Sequence, residues 1–195
     1  MPYTAQHKLK TRNRIVECAR MLFNRHGYEG VTIDMVMSRA KLTRGGFYNH
    51  FTSKEDLFAA AVSSFLMGRG ARWRAEAGVD ASRPAPVMAE RMIASYLSNE
   101  HLGDIDGQCP LIALPSDVAR ANAEVQAGYA RLLEAMVGLF QGSLKSTSKA
   151  ARQKALAVAA LCVGGMVLAR TLPSSALATE TREAARVQAR RLISV

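Results

Sequence analysis

The chain has 195 residues, enough for one domain or two small ones around a real core, and its 49% hydrophobic content excludes a disordered polymer. Its formal charge of +10 points to a polyanionic partner. The positive charge is densest at the start: residues 1–60 hold ten Lys/Arg against five Asp/Glu, and residues 61–195 hold sixteen against eleven.

Alternating apolar and polar runs are almost absent, and Ala, Leu, Met, Arg and Glu dominate, so the chain reads as all-α with about nine helices. The first is predicted over about Lys8–His26, with Ile15, Ala19, Leu22 and Phe23 on one stripe and Gly27 as its stop. The second covers about Ile33–Ala40, capped by Thr32, with Asp34 in its first turn and Ile33, Val36, Met37 and Ala40 facing inward. A short third helix, about Arg44–His50, starts from Thr43 as N-cap. The fourth opens at Ser53, with Asp56 at capping-box spacing, and runs to about Ala75. Gly78–Pro86 reads as a loop. The fifth helix covers about Val87–His101, followed by a break at Gly103–Pro110. A short helix over Leu111–Ala119 is disturbed by Pro115. A long amphipathic helix over about Asn122–Leu144 puts Val125, Tyr129, Leu132, Leu133, Met136 and Phe140 on one side. The eighth helix covers about Lys149–Leu172 and ends at Pro173; the last covers about Glu180–Ile193.

Within this series the segment 31–58 has the build of a helix-turn-helix DNA reader. Its short helix carries small, basic and hydrogen-bonding residues where a core helix would carry apolar bulk. Gly45 and Gly46 inside a helix cost roughly 1 kcal/mol each against Ala, and a backbone that must approach DNA closely accounts for that cost. Thr43 and Arg44 open the helix, where free backbone N–H groups also attract phosphate. Tyr48, Asn49 and His50 offer hydrogen bonds and stacking area, Lys54 is placed for a phosphate, and Phe47 and Phe51 anchor the helix to its core. The leading Lys8, Lys10, Arg12 and Arg14 are candidates to neutralise flanking phosphates, or form a solvated charged lead-in.

The run GYEGVTIDMVMSRAKLTRGGFYNHFTSKEDLF resembles the N-terminal domain of the tetracycline-repressor (TetR) family of transcriptional regulators. The likeness is strong over about residues 10–60 and continues beyond only as an all-helical pattern. Gly27 and Thr32 match the family's helix-one exit and helix-two cap. Leu42 to Phe51 matches its recognition helix, and Lys54 to Phe58 its linker-helix start. The resemblance implies a three-helix DNA-binding domain over residues 1–52 and a larger helical ligand-binding and dimerisation domain over 53–195. It puts DNA contacts on Thr32, Thr43, Arg44, Gly46, Tyr48, Asn49, His50 and Lys54, with Gly45 giving the backbone its approach. Arg44, Gly46 and Asn49 are the candidates for base discrimination. Helix two begins Ile33-Asp34 where a basic residue is usual, so fewer phosphate contacts are expected at that edge.

The resemblance also implies a homodimer through the last two helices. The eighth helix is apolar almost all round and must be covered on most sides, with Ala157, Ala160 and Gly164 permitting close approach. An inducer pocket is implied among the middle helices, its candidate liners being Phe65, Met88, Met92, Tyr96, Leu111, Leu114, Tyr129, Leu133 and Met166, each of which also reads as plain core. Trp73 reads as a pocket wall or as packing between the two halves.

Three cysteines at wide spacing give neither a disulfide framework nor a zinc site and fit a reducing cytoplasm. Cys109, before Pro110 at a predicted helix start, is a candidate thiol sensor, since a helix N-terminus lowers a thiol pKa; Cys18 and Cys162 read as core. Glu100, His101, Asp104 and Asp106 crowd one loop, which reads as solvated acid rather than a metal site. No P-loop, dinucleotide glycine pattern, HExxH or nucleophile elbow is present, so no enzyme and no cofactor is expected. No secretory leader is visible, and the longest apolar run, Ala155–Ala169, falls short of the ~20 residues a membrane span needs. The expected function is a cytoplasmic, ligand-responsive regulator, a repressor released from a pseudo-palindromic duplex operator by a small apolar or amphipathic inducer. The alternatives are a Cys109-based redox or electrophile sensor, and a helical small-molecule binder with only non-specific DNA affinity.

Overall fold

The computed structural model describes residues 4–172 and 175–194. Among these residues there are eleven α-helices, one 3-10 segment and no strand. Pro173, expected to end a helix, lies outside the described residues. The helices form two compact units.

The first unit holds the described residues up to Phe65 together with Ile105–Tyr129. Its spine is α1 (Ala5–His26), which starts where Thr4 Oγ1 accepts from the His7 N–H at 3.3 Å. It ends at Gly27, whose φ of +69° suits glycine and whose N–H donates to Phe23 O. The basic residues read as a lead-in are therefore part of a helix. Next comes α2 (Ile33–Arg39), capped by Thr32 Oγ1, which accepts from the Met35 N–H at 3.2 Å. The turn that follows is made by a lysine: Lys41 has φ +55°, its N–H donates to Ser38 O, and the Leu42 N–H donates to Met37 O. The expected third helix is a six-residue 3-10 segment, Arg44–Asn49. Then α3 (Lys54–Ser64) opens with Ser53 Oγ accepting from the Asp56 N–H at 3.1 Å.

Aromatic packing closes this unit. Phe23 meets Phe58 edge-on at 4.9 Å, and Tyr28 lies 5.0 Å from Phe58. Phe47 and Phe51 are buried, 5.7 Å apart, and seat the 3-10 segment on the core. The segment 105–129 carries α7 (Pro110–Ala113), α8 (Pro115–Ala119) and the start of α9 (Ala123–Ser143), so Pro115 splits the expected helix in two. It is clamped to α1 by polar residues. Asn24 Nδ2 donates to Gln108 O at 2.8 Å, Arg25 Nε donates to Asp106 Oδ1 at 2.6 Å, and buried Arg20 donates to Asp106 O. The expected boundary between residues 52 and 53 falls inside this unit, because α3 packs along α1 and the 105–129 segment closes on α1's C-terminal half.

The second unit holds residues 66–104 and those from Ala130 on. The long helix expected from Ser53 to Ala75 is interrupted at 65–68, and α4 (Arg69–Glu76) starts after Gly68, whose φ of −98° and ψ of −110° are not helical. The helix expected over 87–101 is likewise two: α5 (Pro86–Tyr96), then α6 (Asn99–Gly103), which Ser98 Oγ caps by accepting from the His101 N–H at 3.1 Å. Trp73 packs on His101 at 5.0 Å and on Tyr96 at 5.8 Å.

The unit's largest packing contact joins α10 (Lys149–Thr171) to α11 (Ala176–Ile193). The close approach between these two helices runs over Gly165, where a Cβ would sit 2.8 Å from Ala185 Cβ and 3.3 Å from Leu97 Cδ2. Buried Arg182 fastens α11 to the end of α5, donating to Leu97 O at 3.1 Å and to Asn99 Oδ1. Helix α10 has 23 residues and a mean hydropathy of 1.5 over its most apolar 18-residue window, long and apolar enough to cross a membrane by length and composition. Here one side of it packs on α11, α5 and α6.

Candidate nucleic-acid interface

In the first unit, the start of α1 and the 3-10 segment line a common groove of about 530 Å³. His7, Lys8, Thr11 and Arg14 come from α1; Leu42, Thr43, Gly46, Asn49 and His50 come from the other side. The rest of α1 and the whole of α2 separate these sets in sequence. The two meet because α2 packs on α1 and carries the 3-10 segment back beside it. The groove thus has a basic wall and a small, hydrogen-bonding wall.

The glycines of the 3-10 segment are not needed by the protein's own packing. A Cβ at Gly45 would meet nothing within 4 Å, and one at Gly46 would make only ordinary contacts with Met37 Cε at 3.7 Å and Thr43 Oγ1 at 3.8 Å. Tyr48 is 60% exposed, and Thr43, Arg44 and Asn49 are exposed beside it. Thr43 occupies the N-cap position, but its side chain makes no capping hydrogen bond. Its hydroxyl is thus not committed to the helix start. His50 is half-buried, and burial, with the nearby charges of Lys8 and Arg12, pushes its imidazole below the usual histidine range. Arg12 itself stacks over the Phe51 ring at 4.6 Å.

Two expected contact residues are otherwise engaged. Lys54 does not extend outward: its Nζ donates to Tyr28 O and Val31 O, both at 3.0 Å, and lies 4.0 Å over the Tyr28 ring. It ties the α1–α2 turn to α3. Arg44 donates from Nη1 to Asp34 Oδ2 at 2.6 Å. Thr32, also expected to touch phosphate, keeps an exposed position while capping α2.

The expected ligand residues divide between the units. Phe65, Cys109, Leu111, Leu114 and Tyr129 belong to the first, and Met88, Met92, Tyr96, Leu133 and Met166 to the second. Phe65, Met92, Tyr96, Cys109, Leu111, Leu114 and Met166 are buried. Tyr129 donates its hydroxyl to Leu111 O at 3.0 Å, and its pKa is pushed up to about 12, chiefly by burial and secondarily by Cys109. Cys109 is only 5% exposed and precedes a helix of four residues, α7, which is too short to supply the expected dipole. Cys18 and Cys162 are buried, and burial pushes the Cys162 thiol up to about 12.

In the acidic loop Glu100 is exposed, and the two aspartates are ion-paired while still partly exposed. Asp104 pairs with Arg69 at 3.0 Å, and Asp106 pairs with Arg25 at 2.6 Å and Arg39 at 3.6 Å. His101 is buried, its Nδ1–H donating to Tyr96 O at 2.8 Å. Among the described residues, no group of three or more His, Cys, Asp or Glu is placed to hold a metal ion.

Residues 15–61, which carry the 3-10 segment and its supporting helices, match the family model of bacterial regulatory proteins, tetR family. That stretch is a tetR-family regulatory domain. The HTH-type transcriptional repressor AcnR of Corynebacterium diphtheriae is 35% identical over 98 residues, which is 50% of this chain and 44% of that protein. The transposon Tn10 TetC protein of Escherichia coli is 39% identical over 57 residues, 29% of either chain. The chain thus spans less than half the length of these curated relatives. Among solved structures, a TetR transcriptional regulator from Chloroflexus aurantiacus superposes with a TM-score of 0.78 at 22% identity, covering 97% of this chain and 96% of its own. Reduced NemR from E. coli superposes with a TM-score of 0.73 at 17% identity, covering 93% and 96%. At such identities the likeness shows the fold.

Proposed function

We propose that this chain is a TetR-family transcriptional regulator, a repressor that reads a pseudo-palindromic duplex operator as a homodimer and leaves it when a small apolar or amphipathic molecule binds. The observation that carries the reading is the groove between α1 and the 3-10 segment. One wall supplies Lys8 and Arg14 for phosphates; the other supplies Thr43, Gly46, Asn49 and His50, with Gly45 and exposed Tyr48 on the same 3-10 segment and no internal packing role for either glycine. A major groove about 12 Å wide admits such a segment, and side chains at its start reach base edges.

Dimerisation draws support from the outer faces of α10 and α11. Leu156, Leu168, Leu177 and Val187 are exposed there, and a Cβ added at Gly164 would meet nothing within 4 Å, so a second copy has apolar surface to cover. Two copies would present two heads to half-sites roughly 34–36 Å apart. The inducer must prefer the conformer that does not match that spacing, since equal affinity for both shifts nothing. The protein then works in the cytoplasm, where its duplex target lies, with no enzymatic step.

Selection of duplexes from a random pool by the purified full chain tests the proposal. The expected result is a two-fold-symmetric consensus bound roughly 10³-fold or more tightly than random sequence at the same salt. Enrichment of no sequence would reject it.

A further inference from the structure

Asp34 stands in the first turn of α2, and Arg44 opens the 3-10 segment. The lysine-based turn between these elements brings the two side chains together, with Arg44 Nη1 donating to Asp34 Oδ2 at 2.6 Å. Their side chains stay 64% and 56% exposed, so the pair adds little to folding stability. A carboxylate on the face that meets phosphates also opposes binding. Neither stability nor raw affinity explains this arrangement.

We propose that Asp34 is a specificity-determining positioning residue, holding the Arg44 guanidinium so that it serves a base edge rather than a phosphate. The inference rests on the operator-reading function above. An arginine has five N–H donors in a fixed fork, and the contact to Asp34 uses one. Enough remain for the paired donation that matches guanine O6 and N7 in the major groove. Tethering removes side-chain freedom before the duplex arrives, so less is lost when the fork docks. On random sequence the paired guanidinium attracts phosphates weakly, because its charge is offset by the carboxylate beside it. On a site with a guanine in reach, the same arginine makes its full contact. Asp34 therefore lowers affinity for every duplex but lowers it most for the wrong ones.

The test uses the full chain as wild type, Asp34→Asn, Arg44→Ala, the double variant and Asp34→Glu. Each is titrated against a duplex selected by the wild type, every single-base-pair change of it, and a random duplex, over a series of salt concentrations. The base pair read by Arg44 is the one whose preference Arg44→Ala abolishes. At that pair the wild type prefers guanine by roughly ten- to a hundred-fold. Asp34→Asn is expected to bind the random duplex several-fold more tightly, to steepen the log–log salt slope by about 0.9, and to reduce the guanine preference roughly five-fold or more. In the Arg44→Ala background Asp34→Asn changes no base preference. Asp34→Glu, which keeps the charge, stays near wild type on the random duplex. The inference is overturned if Asp34→Asn leaves the guanine preference intact, if it alters preference equally without Arg44, or if Arg44→Ala keeps every preference. A wild type that does not separate selected from random duplexes rejects the operator-reading function itself, and this inference with it.

Discussion

The chain contains two adjacent glycine pairs inside helical segments, and Gly165 of the one is used in the opposite way to Gly45 and Gly46 of the other. In α10, Gly165 is held by its own molecule: a Cβ would sit 2.8 Å from Ala185 Cβ. In the 3-10 segment, a Cβ at Gly45 would meet nothing, and one at Gly46 would meet only ordinary contacts. A glycine that internal packing requires reports on the fold. One that nothing inside requires, at a cost in helix stability, reports on what approaches from outside.

The largest effect that breaks or sharpens this contrast comes from substituting one member of each pair. Gly165→Leu overfills the α10–α11 crossing and should cost about 3 kcal/mol, read as a thermal midpoint lower by several degrees. Gly45→Ala should leave the midpoint unchanged or raise it, by up to about 1 kcal/mol, while reducing operator affinity roughly ten-fold or more. Loss of stability in Gly45→Ala, or unchanged operator affinity, would erase the distinction.

A smaller effect separates the two cation roles at the head. Lys54→Met removes the donor to Tyr28 O and Val31 O and should destabilise by about 1–2 kcal/mol. The salt slope of duplex binding should not change. Lys8→Met should leave the midpoint alone and lower the slope by about 0.9. A slope that falls in Lys54→Met would return that residue to the phosphate contacts.

The smallest effect concerns pH. Burial, first, and Arg69 hold His101 below the usual histidine range, while the hydrogen bond to Tyr96 O and the charge of Asp104 oppose them. The unfolded chain therefore binds a proton that the folded chain rejects. Stability is full above the unfolded pKa of about 6.5 and declines as pH falls below it toward the folded value. His101→Phe should flatten that decline in thermal melts between about pH 7.5 and 5. A residual slope of the same sign belongs to His50, which burial also depresses.

The head is legible in the sequence because its signals are local. Thr32 and Ser53 cap within three residues, and Gly27, Gly45, Gly46, Phe47 and Phe51 fall at fixed offsets. The clamp on α1 is not, because Arg20 and Asn24 look like ordinary helix polars and their partners are main-chain carbonyls more than eighty residues away. The break at 65–68 is hidden because apolar Phe65, Leu66 and Met67 continue the helical composition through it. The turn at Lys41 is hidden because a lysine does what a glycine usually does. Composition alone does not say which of Gly164 and Gly165 faces α11, since neighbours on a helix point about 100° apart. Lys54 sits at the helix start its neighbours predict, but a cation there can satisfy turn carbonyls as readily as phosphates.

The most direct measurement is methylation protection of guanine N7 on the selected duplex, because that atom lies on the major-groove edge. Two protected patches about one helical turn apart are expected, with the protection at one guanine of each half-site lost in Arg44→Ala. A footprint without guanine protection, or one that Arg44→Ala leaves unchanged, would contradict the placement of Arg44–Asn49 in the groove.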